Sequence, residues 1–129
     1  MRLLLDTHIW LWGLIDPGRL GMQVRRALDD PNNELWLSPM SVWEALNLHN
    51  RCRVYLAGNA KDWIERNVAP FREAALTHEI AVASWYLRFT HQDPVDRLLV
   101  ATAKVMDLTL VTASSSLMEL GEIATLPNR

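Results

Sequence analysis

Glycine is scarce in this chain, five in 129 residues, and none is set in a Gly-x-Gly-x-x-Gly or Gly-x4-Gly-Lys run. Without such loops there is no backbone cradle for a pyrophosphate, so dinucleotide and P-loop chemistry have no support. No Gly-x-Ser-x-Gly elbow presents a nucleophilic serine. Cysteine is scarcer still: Cys52 stands alone, which rules out an internal disulfide and suits a reducing, cytoplasmic setting. The four histidines show no zinc spacing. No apolar run approaches the roughly 18 residues that span a bilayer, so no membrane partner is expected. Residues 1–15 lack a signal-peptide layout, because Asp6 and His8 interrupt the apolar run and no small-residue cleavage site follows. Positive charge is not in excess either. The formal net charge is -2, which excludes a general basic surface for nucleic acid and leaves a local basic rim.

What is present describes a globular chain. Half the residues are apolar, and 129 residues fit one domain, 1–129, that buries roughly two-thirds of its unfolded surface without a disulfide or structural metal. Strand-like runs at 2–6, 35–38, 73–77, 108–112 and 123–127 alternate with helical stretches at 7–16, 19–30, 39–52, 60–70, 78–89 and 93–106. That alternation predicts an α/β fold, a parallel sheet of four or five strands with helices on both faces. In such sheets, function gathers at the carboxyl ends of the strands. Six tryptophans are many for this length. Trp10 and Trp12 are two apart, so a helix cannot bury both against one neighbour. Most of the six are expected in the core, with at least one facing a partner.

Three acids stand out by position. Asp6 ends the first strand, Glu44 lies in the helix after the second, and Asp96 lies in the first turn of the helix leading into the fourth. Parallel neighbouring strands would bring all three to one sheet edge. Two charges about 4 Å apart repel by roughly 4 kcal/mol at an effective dielectric of 20, so convergence calls for a hard divalent cation. Each acid also has a structural explanation. Asp6 can cap the next helix, although Thr7 can do the same. Ser41-Val42-Trp43-Glu44 fits a capping box, while Ser38-Pro39 is an equally good helix start that places Glu44 inside. Asp93 reads as the cap of its helix, with Pro94 at the first position and Asp96 favoured there by the helix dipole. Asp6-Thr7-His8 lacks the second Asp, two residues on, that aspartyl-phosphate phosphatases carry, and His91-Gln92-Asp93 is too short a cluster to make a site. In "LTLVTASSS" (108–116), Ser116-Leu117-Met118-Glu119 fits a capping box for a short last helix ended by Gly121, and no base motif accompanies the serines.

The segments "LLLDTHIWLW" (3–12), "LSPMSVWEAL" (37–46), "HQDPVDRLLVATA" (91–103) and "LTLVT" (108–112) together resemble PIN-domain ribonucleases, most nearly the VapC type of toxin from bacterial toxin–antitoxin pairs. The resemblance covers nearly the whole chain in order and spacing. It implies a three-layer α/β/α domain and a metal-dependent endoribonuclease. It implies that Asp6 and Asp96 bind Mg²⁺ or Mn²⁺ and that Glu44 completes the acidic set, holding the ion through water or orienting the attacking water. It also implies inhibition by a cognate protein antitoxin, contact with DNA only through that antitoxin, and commonly a homodimer. The family often carries a fourth acid where Ser114 stands here. A hydroxyl can hydrogen-bond a metal-bound water, so Ser114 joins the candidate set. Arg97, Arg51 and Arg53 are placed to grip phosphate or to form surface ion pairs. The alternatives are a PIN-like binding module with weakened chemistry, acting through its antitoxin or partner, and another metal-dependent hydrolase such as a phosphatase or DNA nuclease.

Overall fold

The leucine run at 3–5 becomes the central strand, and its alternation divides the core. A computed structural model describes residues 1–88 and 93–129. Strand β1 (Arg2–Leu5) pairs in parallel with β2 (Glu34–Leu37) on one side and β4 (Thr109–Thr112) on the other. Strand β3 (Arg72–Glu73) extends the sheet beyond β2, and β5 (Thr125–Pro127) extends it beyond β4. The order is β3-β2-β1-β4-β5, parallel throughout. Because both faces of β1 are covered, successive positions are apolar rather than alternating with polar ones.

Leu3 and Leu5 pack on the layer containing α1 (Thr7–Ile15), α2 (Met22–Asp29) and α4 (Ala60–Val68), meeting Ile9, Trp10, Val24 and Trp63. Leu4 and Leu110 face the opposite layer of α5 (His78–Trp85), α6 (Pro94–Met106) and α7 (Ser115–Met118), against Ile80, Leu99 and Leu117. Each fully buried leucine contributes roughly 1.5–3 kcal/mol. Helix α3 (Pro39–Asn50) sits at the seam, giving Ala45 and Leu48 to the first layer and Met40 to the second. The expected three-layer α/β/α architecture is therefore the one found, with five strands.

The differences are local. Pro17–Arg19 forms a 3-10 turn, so the helix expected from residue 19 starts at Met22. Strand β3 is two exposed residues rather than 73–77, although Ala74 N still donates to Leu37 O at 2.9 Å. Helix α5 ends at Trp85; its expected end at Phe89, and the His91-Gln92 pair, lie outside the described residues. The last helix starts two residues earlier than its capping-box pattern implies, so Ser114 rather than Ser116 is its cap. Gly21 is required by close approach: its N–H donates to Asn128 Oδ1 at 2.7 Å, and a Cβ there would overlap the backbone of Arg129.

The tryptophans divide as their spacing requires. Trp10 and Trp63 are buried and meet edge to face at 5.8 Å. Trp12 is half-buried at the edge of the first layer beneath the Arg19 guanidinium, and Trp36 lies under Arg2 and Arg72. Trp43 and Trp85 stand outside both core layers, 56% and 81% exposed. Among the described residues, no helix is long and apolar enough to cross a membrane.

Candidate active site

The register of β1 and β4 builds the first part of the site. Leu5 lies opposite Val111, which sets Asp6 beside Thr112 at the carboxyl ends of both strands. Asp6 N donates to Val111 O at 3.0 Å, carrying the ladder one residue past β1. The Asp6 carboxylate is only 8% exposed; Oδ1 accepts from Thr7 N and Oδ2 from Thr112 Oγ1, each at 2.7 Å. Asp6 is thus the N-cap of α1, but its bond goes to the first helical amide rather than the usual second or third. Capping and a site role coexist, because one oxygen turns to the helix and the other to the sheet. Burial pushes the Asp6 pKa up. Thr112, the charge of His8 and the Thr7 amide pull against that rise, while the charge of Asp93 adds to it.

Glu44 comes from α3. Ser38 caps that helix, accepting from Met40 N at 3.0 Å with Pro39 in the first turn, so Ser41 is not a cap and Glu44 lies well inside. Ser41 is buried, and its Oγ accepts from Thr7 Oγ1 at 3.0 Å. Glu44 is half-buried, and burial is the main cause that raises its pKa. The Thr7 hydroxyl opposes this, the Asp6 charge reinforces it, and His8 and Asp93 act in opposite senses behind them. Thr7 therefore lies between the two acids: its amide donates to Asp6, and its hydroxyl, which carries a single proton, faces both Ser41 Oγ and Glu44.

Asp93 caps α6 as expected, with Oδ1 accepting from Val95 N at 2.9 Å. Its charge also bears on both Asp6 and Glu44. Sequence reasoning assigned it the cap alone, although the Asp93-x-x-Asp96 spacing puts both acids within one turn. Asp96 is half-buried in that first turn. Ser114 caps α7: its Oγ accepts from Leu117 N at 3.4 Å and lies 3.0 Å from Ser116 Oγ. Its own N–H donates to Thr112 Oγ1 at 3.0 Å, so it reaches Asp6 through Thr112. Thr7, Ser41 and Thr112 were not singled out from sequence as site residues. The signal lay in small hydroxyl residues directly beside the strand-end and helix-start acids. Arg97 takes a structural role, donating to the carbonyls of Ser84 and Trp85 at the end of α5, while Arg51 lines a cleft with Glu44. Among the described residues, no three His, Cys, Asp or Glu side chains close around a single point.

Residues 3–121 match the family model described as the PIN domain. Ribonuclease VapC22 from Mycobacterium tuberculosis is 31% identical over 110 residues, covering 84% of either chain. VapBC2 from Rickettsia felis, bound to a DNA fragment from its promoter, superposes with a TM-score of 0.75 at 13% identity over 98% of each chain. FitAcB from Neisseria gonorrhoeae gives 0.71 at 20% identity, covering 98% of this chain and 97% of that one. A toxin–antitoxin complex from Klebsiella pneumoniae gives 0.66 at 20% identity over 98% of each. At these identities the structures speak for the fold, and the family rests on the matched model and the VapC22 relative. The protein belongs to the PIN-domain family, as a VapC-type member.

Proposed function

We propose that the protein is a metal-dependent endoribonuclease, the toxin of a toxin–antitoxin pair, which hydrolyses RNA phosphodiester bonds. The observation that carries this is the Asp6–Glu44 pair, two carboxylates raised in pKa chiefly by burial, with the Asp6 charge adding to the rise at Glu44, and with Thr7 between them. Their oxygens are hard donors, and the charge they crowd into a desolvated edge is what a divalent cation offsets. Asp6 and Asp96 would hold Mg²⁺ or Mn²⁺, with Glu44 reaching it through water. Water readily fills the remaining positions around Mg²⁺, which fits a site where protein ligands do not enclose the ion alone. When bound, the ion supplies a water of lowered pKa and steadies charge on the phosphodiester. Glu44 orients the attacking water and is suited to accept its proton, because its pKa is shifted toward the working range. Thr112 and Thr7 fix the Asp6 carboxylate, and Ser114 acts behind Thr112 as a positioning residue.

The partner follows from the relatives. VapC22 is named a ribonuclease, and the similar structures are named as VapBC or as a toxin–antitoxin complex. They support a cognate protein antitoxin here, with DNA reached through it. The test is incubation with single-stranded RNA, single-stranded DNA and a generic phosphomonoester in Mg²⁺ or Mn²⁺. The expected outcome is cleavage of RNA alone, stopped by EDTA. Asp6→Asn should lower cleavage at least roughly a thousandfold while circular dichroism stays native. Undiminished cleavage by that variant, or an EDTA-resistant activity, overturns the assignment.

A further inference from the structure

Met40, Trp43, Glu44, Asn47 and Arg51 recur along α3 and its C-cap at spacings of three and four, so they share one face. That face looks across a cleft of about 490 Å³ to Asp93, Pro94 and Val95 at the start of α6. The volume falls among small-ligand sites, roughly 300–1,000 Å³, and suits one nucleotide rather than a helix. Trp43 directly precedes Glu44, lines the cleft and leaves 56% of its surface exposed, although its neighbours Val42 and Ala45 pack into the core. The fold does not use this indole, and it lies beside an acid of the proposed site.

We infer that this cleft is a nucleotide subsite for the RNA substrate. The base of a single-stranded nucleotide next to the scissile phosphate stacks on Trp43. The Asn47 amide hydrogen-bonds its edge or sugar, and Arg51 takes a neighbouring phosphate. The inference rests on the ribonuclease assignment and adds the residues that seat one nucleotide of the substrate: a base offers its face to the Trp43 indole only when it has left its own stack. The charges of the cleft speak against a second copy of this chain as the occupant. Interface centres are depleted in charge, whereas Glu44 and Asp93 line this one, and a twofold contact through it would set like charges together. An aromatic plane, an amide and a peripheral guanidinium instead match the stacking and phosphate contacts of single-strand binding.

The test measures binding of a 5′-labelled single-stranded RNA oligonucleotide by fluorescence anisotropy, with Asp6→Asn as the parent so that the probe survives. Adding Trp43→Ala should weaken binding by about tenfold or more, and Trp43→Phe should restore most of it. Adding Arg51→Ala should lower the salt dependence of binding by about one ion. The same oligonucleotide annealed to its complement should bind without regard to residue 43. Native affinity of the Trp43→Ala variant for the single strand overturns the inference, as does an equal loss on the duplex. So does a fall in molecular mass on light scattering, which would assign Trp43 to a contact between copies. A wild-type protein that cleaves RNA while Trp43→Ala binds normally removes this inference alone. A wild-type protein that cleaves no RNA removes the ribonuclease assignment with it.

Discussion

The two walls of the site are built in different ways. On the sheet side, Asp6, Thr7 and Thr112 are buried and joined by hydrogen bonds of 2.7 Å, anchored to the ends of two paired strands. On the helix side, Glu44 is half-buried, Asp93 is exposed and Trp43 presents most of its ring to solvent. The sheet wall holds one carboxylate in a fixed pose, as a ligand or catalytic group requires. The helix wall offers a face that several substrates could meet. Rigidity sits where chemistry is proposed, and openness sits where recognition is.

Thr112→Val breaks the sheet wall at its most connected point. The variant strips a donor from Asp6 Oδ2 and an acceptor from Ser114 N while leaving the strand apolar. A buried oxygen without its partner costs about 1–3 kcal/mol, so the urea midpoint should fall. Outer hydrogen bonds to metal-binding groups are typically worth about 10–100-fold, and cleavage at fixed Mn²⁺ should drop by that factor. Full activity in a folded Thr112→Val protein would show that the sheet wall does not orient Asp6.

The pH dependence of stability sharpens the same contrast. Asp6 and Glu44 both have raised pKa values, chiefly from burial. The folded state therefore binds these protons more tightly than the unfolded one. Their contribution is fully present below the ordinary carboxylate pKa, about 4, and is lost as pH rises through the raised values. Asp6→Asn should match the wild type in Tm near pH 3 and exceed it by a few degrees at pH 7, in the absence of divalent ions. Added Mn²⁺ should raise the wild type and leave the variant unchanged, since only a competent site gains from ligand. Glu44→Gln should show a smaller gain, because its carboxylate is less buried. A Tm difference independent of pH would mean that burial of the Asp6 charge is not what sets its pKa.

The fold was legible because each strand and helix announces itself locally. Leu3–Leu5 is an uninterrupted apolar run, and Asp93-Pro94 and Ser38-Pro39 are cap and first-turn pairs that the structure reproduces. Asp6 and Glu44 stand out as candidates from their places at a strand end and in the following helix. Thr112 does not, because its role depends on register: only when Leu5 faces Val111 does its hydroxyl reach Asp6 Oδ2. Asp93 was read as a cap and is one, but the charge it adds to the edge depends on how α6 packs against α3. That is a tertiary fact with no local signature.

Ser114 tests the boundary between the two walls with the smallest expected effect. Its hydroxyl caps α7 through a long 3.4 Å bond to Leu117 N, while its backbone N–H holds Thr112. Ser114→Ala removes the first and keeps the second. Loss of a serine cap costs about 0.5–2 kcal/mol, and the length of this bond favours the low end, so Tm should fall by only a few degrees. Cleavage should fall less than tenfold, because the Ser114–Thr112–Asp6 chain survives. If cleavage vanishes while the fold stays intact, the hydroxyl itself touches the reacting water, and the rigid wall extends past β4 into the first turn of α7. Read beside Thr112→Val, the pair separates a serine that substitutes for a missing acid from one that only braces a threonine that braces an aspartate.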